Sequence, residues 1–343
     1  MAGLTDTAFR RLVKRCGGCG LVVTEMVSSE GLVRGIDRTL EYAEFTEEER
    51  PVAVQVFGGD PGNMALAAQV VERLGADAVD VNMGCPVPKV SKGRAGCSLM
   101  RDPERAASIV RAMTRAVSIP VTVKMRAGWN DREINAPDLA RRMEDAGAAA
   151  ITVHGRTAAQ AYSGRADWDL IGRVARSVSV PVFGNGDCVE PEDMVRRMGE
   201  SGVAGVLVGR GALRNPWIFA QAEALAAGRP APVVTAADRH RFLVEYIELL
   251  LADPGSEPAN FRHVAGAAGA KISRAAGDGI PGAAQGPGSG REARGRERWV
   301  INKLRALCAW YTRGLPGGSH LRVAVNHAES IEALRAEIAR LLS

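Results

Sequence analysis

This sequence has no disulfide framework, no apolar run long enough for a membrane and no dinucleotide-binding fingerprint. Its six cysteines are spread over 343 residues, too sparse for a small scaffold stapled by cross-links. Cys16 and Cys19 form one CxxC, but no second CxxC or CxH pair follows to complete a zinc site. With Gly17, Gly18 and Gly20 around it, that pair is expected to close a helix and to hold no metal. No apolar stretch reaches the roughly 20 residues that cross a bilayer. The N-terminus also lacks the charged-then-apolar pattern of a secretory signal. A cytoplasmic protein with no membrane association is the expectation.

What is present suits a sizeable folded chain. Hydrophobic residues make up 46% of the sequence, and the mean hydropathy of −0.06 is that of a globular protein with a large core. The net charge of +5 is mild, but it is unevenly placed. From Asp238 onward there are 15 Lys/Arg against 11 Asp/Glu, leaving 29 against 28 of the chain's 44 and 39 in the part before. A basic C-terminal third suits an anionic partner such as nucleic acid; a solvated surface is the blander alternative.

Short β-branched runs recur at 21–26, 52–57, 78–83, 121–125, 150–154, 180–186 and 205–209. Between them lie stretches such as "NMALAAQVVERLGA", "DPERAASIVRAMTRAV" and "PEDMVRRMGESGV", with apolar residues at three- and four-residue spacing. Strands alternating with amphipathic helices predict βαβ units and a parallel sheet, hence an α/β protein of the (β/α)8 barrel type. The opening "MAGLTDTAFRRLV" reads as the loop after a strand leading into a helix, capped by Thr5 or Asp6. The strand that belongs before it is absent from this sequence, so the first strand is expected to be truncated. Residues 1–234 are assigned to the barrel and 235–343, with "AADRHRFLVEYIELLLADP" and "SIEALRAEIARLLS", to a helical domain. Residues 264–298 are about half Gly and Ala, a composition that cannot build a core and predicts mostly disordered chain.

In such barrels the loops after the strands carry the chemistry. Here they hold Glu25, Gln55, Asn82 with Cys85, Lys124 with Arg126, His154 with Arg156, Asn185 with Asp187, and Gly209 with Arg210. One such group is readily a satisfied buried polar residue; a set at successive strand ends is not. "FGNGD" and "VGRGA" end the last two runs with small residues, which let backbone N–H groups approach a phosphate. Lys124 ends a central strand, where its ammonium can stabilise an anionic reduced flavin ring.

The segments "MAGLTD", "VTEMVS", "QVFG", "VDVNMGCPVPKV", "KMRAGW", "VHGRT", "GNGD" and "VGRGALRNPWIF" stand in the order and spacing of the tRNA-dihydrouridine synthases. The chain most resembles the bacterial B-type members, densely over residues 1–225 and again, weakly, at "RALCAWYTRGLPGGSHLR". The resemblance implies an FMN-binding barrel with a C-terminal helical tRNA-binding domain. Its reaction is reduction of the C5=C6 bond of uridines in tRNA, with NADPH as co-substrate. In the family the cysteine of the GCP motif protonates C5 opposite the hydride, which falls here on Cys85; a thiol of ordinary acidity is mostly protonated at neutral pH and able to donate. Cys97 is then structural, and the Gly-rich 93–97 loop is a candidate lid. Carried over residue by residue, Ala2, Gly3 and Gln55 meet FMN, as do Lys124 and His154 at the ring. Asn185, Gly186, Asp187, Gly209 and Arg210 hold its phosphate end. Asn82 orients the uracil, while Lys89, Arg126 and Arg156 meet RNA phosphates or the base, which must leave its stack to reach a flavin. No metal is implied, and a monomer is the expected state.

The chain departs from the family pattern where Arg305-Ala306-Leu307 replaces an Arg-Lys-His motif, and in the Gly/Ala-rich stretch, which looks inserted. Two other readings stay open: a catalytically silent RNA-binding paralogue, and an FMN barrel reducing a small pyrimidine or an enone. Nothing in the sequence selects the modified uridine or chooses between NADPH and NADH.

Overall fold

The computed structural model describes residues 3–252 and 290–342. Its centre is one parallel sheet made of β1 (Val22–Val23), β2 (Val27–Ser28), β3 (Val52–Phe57), β4 (Ala78–Met83), β5 (Val121–Arg126), β6 (Ala150–His154), β7 (Val182–Asn185) and β8 (Gly205–Leu207). The order is β1-β3-β4-β5-β6-β7-β8, with β2 also paired to β3. β1 and β2 are therefore two pieces of one edge strand, registered on β3 at Val22↔Val52 and Val27↔Val56. Among the described residues β1 and β8 do not pair with each other, so the curled sheet stays open on that side.

The expected strands all form, within a residue or two of their anticipated limits, because each alternates between two environments. Val79, Val81, Met83, Val123, Met125, Ile151 and Val153 are buried against the surrounding helices. The intervening residues point to the barrel interior in layers set by the register, Gln55↔Asp80, then Asn82↔Lys124, then Arg126↔His154↔Asn185. The helices start where the sequence offers caps: Asp60 accepts from Asn63 N ahead of Pro61–Arg73, and Asp102 from Arg105 N ahead of Pro103–Ala116.

Asp6, of the two candidate caps, accepts from Phe9 N at the start of the helix Thr7–Cys16. That helix does close at the CxxC, with Gly17 capping it at a positive φ of 88°. Its apolar face leaves the barrel core and joins a second one. Phe9, Leu12 and Val13 pack with Phe242, Tyr246, Leu304, Leu307 and Tyr311 of the helices Ala236–Ala252 and Gly290–Tyr311. Phe242 stacks on Tyr311 at 5.4 Å and meets Phe9 edge-on at 6.2 Å.

The anticipated disordered stretch needs a correction at its end. Residues 290–298 are the first turns of the helix Gly290–Tyr311, and Arg296 Nε donates to Leu250 O. The rest of that stretch lies outside the described residues. Leu307, which stands in the altered basic motif, is buried in the helical core, and Arg305 Nη2 donates to Ala328 O at 3.0 Å.

Candidate active site

The C-terminal ends of β3 to β8 converge on one mouth. At its floor Asp80, 5% exposed, accepts from Thr122 Oγ1 at 2.6 Å and from Gln55 Nε2 at 2.7 Å. Gln55 Oε1 in turn accepts from Asn82 Nδ2 at 2.7 Å. Asn82 Oδ1 accepts from the backbone N–H of Cys85 at 2.9 Å and of Gly84 at 3.1 Å. These bonds turn the chain sharply at the end of β4 and set Cys85, half-buried, at the mouth. Its carbonyl accepts from Cys97 N at 3.0 Å. Gly96 lies so close (φ 60°) that a Cβ there would stand 2.6 Å from Cys85 O.

Residues 95–97 are thus packed against Cys85, with Ala95, Gly96 and Cys97 buried, while Gly93 and Arg94 stay exposed. Gly59, after β3, holds the other flank of the 93–97 loop, since a Cβ there would lie 2.5 Å from Gly93 O.

Above the floor sits Lys124. Burial, then Arg126, lowers its ammonium from 10.5 to about 8, with Asp80 opposing them. Its side chain keeps some contact with solvent, yet it stands deep within protein, and the enclosure dominates. His154 is pushed far below its usual range by burial and by Lys124, Arg126, Arg156 and Arg210. It is therefore neutral. Its Nδ1 accepts from Arg156 N at 3.1 Å, which leaves the proton on Nε2, free to donate into the mouth.

Several expected ligand contacts serve the protein itself. Arg126, 4% exposed, gives Nε to Gly84 O at 2.8 Å and Nη1 to Thr157 O at 2.8 Å and Ala161 O at 3.0 Å, so it ties the Cys85 loop to the loop after β6. Arg156 is equally enclosed; Nε donates to Ser163 O and Nη2 to Gly164 O and Asp187. Asn82 spends its amide on Gln55, Met26 Sδ and the Cys85 turn, so it orients Cys85 directly. The Asp187 carboxylate is held by Arg156 and Ala166 N and stands 3.8 Å from Arg210 Nη2, and its backbone takes the left-handed region at φ 55°. Lys89 is exposed on the short helix Pro88–Ser91 at the outer rim. Gly3 (φ 83°) has open space where a Cβ would stand, and its carbonyl accepts from Lys303 Nζ at 3.3 Å; Ala2 lies outside the described residues.

The mouth fits an anionic, phosphate-bearing cofactor. Arg156 Nη1 is buried with no hydrogen-bond partner among the described residues. Gly186 lies beside it at φ 128°, where a Cβ would stand 3.8 Å from Nη1 and 2.6 Å from Ala166 Cβ. Asn185 Nδ2 ties β7 to Leu207 O at 2.7 Å, and Gly209 with Arg210 closes the cradle after β8. Donors, small residues and two guanidinium groups that share the single carboxylate of Asp187 meet there. Asp80 and Thr122 are the members that motif reading passes over. The available signal was an aspartate between two valines of a strand buried on both faces, which demands a buried partner.

An open (β/α) barrel with an anion-receiving mouth and a thiol at its lip defines a class of cofactor-dependent enzymes. Residues 1–276 match the dihydrouridine synthase (Dus) family, and the chain belongs to it. It is 43% identical over 260 residues to a probable tRNA-dihydrouridine synthase of Rhodobacter capsulatus, covering 75% of this chain and 80% of the relative. A probable tRNA-dihydrouridine synthase of Rickettsia conorii is 37% identical over 341 residues, 99% of this chain and 90% of the relative. The tRNA-dihydrouridine synthase B of Pseudomonas aeruginosa is 40% identical over 258 residues, 75% and 77% of the two chains.

Proposed function

We propose that this chain is a tRNA-dihydrouridine synthase that works with FMN and takes its electrons from NADPH. FMN held in the mouth would supply the hydride for C6 of a target uracil. The protein's own groups do the rest. Arg156 Nη1, the Gly186–Asp187 backbone, Asn185, Gly209 and Arg210 hold the phosphate end, and Gly3 takes the opposite side, while Gln55 has both ends of its amide taken up by Asp80 and Asn82. Lys124 and the Nε2–H of neutral His154 meet the ring, where a cation and a donor stabilise gathered negative charge. Cys85 gives its Sγ proton to C5, on the face away from the hydride.

The observation that carries this reading is the construction around Cys85. Its backbone is fixed by Asn82 Oδ1, Cys97 N and the close packing of Gly96, a level of restraint suited to a proton donor. The helical part supports RNA as substrate: Arg296 stands over the exposed Trp299 at 4.4 Å, and the exposed Arg313 over Trp310 at 4.2 Å. Cationic and aromatic groups side by side suit phosphates and unstacked bases.

The test is incubation with FMN, NADPH and unmodified tRNA, followed by nucleoside mass spectrometry. Dihydrouridine from the wild type, lost on Cys85→Ala, is the expected result. Protein that purifies without flavin and yields no dihydrouridine would point instead to a silent RNA-binding relative.

A further inference from the structure

Between the floor of the barrel and the Cys85 turn runs an unbroken line of polar side chains, Asp80, Gln55 and Asn82, carried by β4 and β3. A line of primary amides can be hydrogen-bonded in either direction, because each amide has a donor end and an acceptor end. The groups at its two ends choose together: a carboxylate at the floor and the donor-only backbone N–H groups of Gly84 and Cys85 at the mouth. A carboxylate only accepts, so Gln55 must present Nε2 to Asp80, at 2.7 Å. That leaves Oε1 for Asn82, which answers with Nδ2 at 2.7 Å. The Oδ1 of Asn82 is thereby turned outward, where it accepts from Cys85 N at 2.9 Å and Gly84 N at 3.1 Å. Reversing the line would set an amino group against those two N–H donors.

We propose that Asp80 is a positioning residue for Cys85, acting through the direction it imposes on Gln55 and Asn82. Thr122 Oγ1 occupies its second oxygen at 2.6 Å and so holds the carboxylate without affecting the direction of the line. Burial pushes the Asp80 carboxyl up, while Thr122, Gln55 and the Lys124 ammonium work to keep it ionised. Lys124 is thus a support of the relay as well as a ligand to the cofactor. The inference rests on the reading of Cys85 as the proton donor for its importance, but not for its geometry.

The test reads the Cys85 turn directly, as the rate at which iodoacetamide alkylates Cys85 in the full-length protein, followed by mass spectrometry of its peptide. Asp80→Asn replaces the acceptor-only end of the line with a group that can also donate, so the direction is no longer imposed from the floor, and the alkylation rate is expected to rise about fivefold, as the loss of one or two hydrogen bonds at the turn implies. Asp80→Asn combined with Gln55→Glu restores the direction by other means. The amide introduced at position 80 donates to the carboxylate introduced at position 55. That carboxylate also accepts from Asn82 Nδ2, so Oδ1 again faces Cys85 with the net charge unchanged. Its rate is expected within about twofold of wild type.

Thr122→Val is the control for a merely structural role. It weakens the floor without reversing the line, so it should lower the melting temperature and leave alkylation as in wild type. Unchanged alkylation in Asp80→Asn, or a double variant as fast as the single one, would overturn the proposal. Should Asp80→Asn not fold, the double variant decides alone: a wild-type rate supports the relay and a raised rate overturns it. Wild-type protein that makes no dihydrouridine, while these rates behave as stated, would remove the proton-donor reading and leave the relay standing.

Discussion

Arg156 grips Asp187 with one arm of its guanidinium, Nη2 to Oδ1 at 2.8 Å, while its other arm, Nη1, is buried with no hydrogen-bond partner among the described residues. The two residues come from the loops after β6 and β7, so the ion pair aims the idle donor into the cradle between them. Arg156→Lys cannot do both, because an ammonium is a point charge with no fork. Binding of FMN, followed by quenching of its fluorescence, is expected to weaken by about one to two orders of magnitude, the value of a charge-assisted hydrogen bond. An unchanged dissociation constant would mean that Nη1 does not touch the ligand.

Lys124 should leave a signature in stability against pH. Its pKa falls from 10.5 to about 8 on folding, so between those values the unfolded chain carries a proton that the folded chain has shed. Stability therefore rises with pH across that window on account of this group. Lys124→Met should flatten the rise, as read from urea midpoints of flavin-free protein between about pH 7 and 10, a range that brackets the window. Parallel curves for the two proteins would refute the assignment.

Gly96→Ala is expected to separate binding from chemistry. A Cβ there stands 2.6 Å from Cys85 O at φ 60°, a strain of about 1–3 kcal/mol that the Cys85 turn must absorb. Turnover should fall about tenfold or more while the flavin stays bound, since Gly96 lies on the opposite side of the mouth from the phosphate cradle. Equal loss of flavin and turnover would contradict this.

The two neighbouring cysteines should behave differently. Cys97 is 1% exposed and packs as a small apolar group, so Cys97→Ala is expected to cost about 1 kcal/mol of stability and to retain dihydrouridine formation. Cys85→Ala should do the reverse, folding normally and forming none. Loss of activity in Cys97→Ala at unchanged stability would place a second thiol in the reaction.

The order of strands and helices was determined by the sequence alone, because apolar spacing of two or of three to four residues reports local geometry directly. So was the identity of the strand-end residues, from Gln55 to Arg210, since a parallel barrel places every such end in one mouth. The family likeness carried Cys85. What those side chains touch was decided only by the tertiary structure. Arg126, Asn82 and Asp187 read as ligand contacts, yet Arg126 donates to carbonyls of the loops after β4 and β6, Asn82 bonds Gln55 of β3, and Asp187 pairs with Arg156 of the loop after β6, partners brought near only when the sheet curls. Asp80 and Thr122 became visible as a pair through the β4–β5 register. The edge strand divides at Thr24, whose Oγ1 accepts from Gln55 N at 3.1 Å, a break that falls on the two polar residues Thr24 and Glu25 within a run read as one strand. Residues 290–298 look unfit for any core, but their helix continues into Val300, Leu304 and Leu307, and the packing of those residues outweighs the local composition. Periodicity is a property of neighbours in the chain; hydrogen-bond satisfaction is a property of neighbours in space, and the site is built from the second.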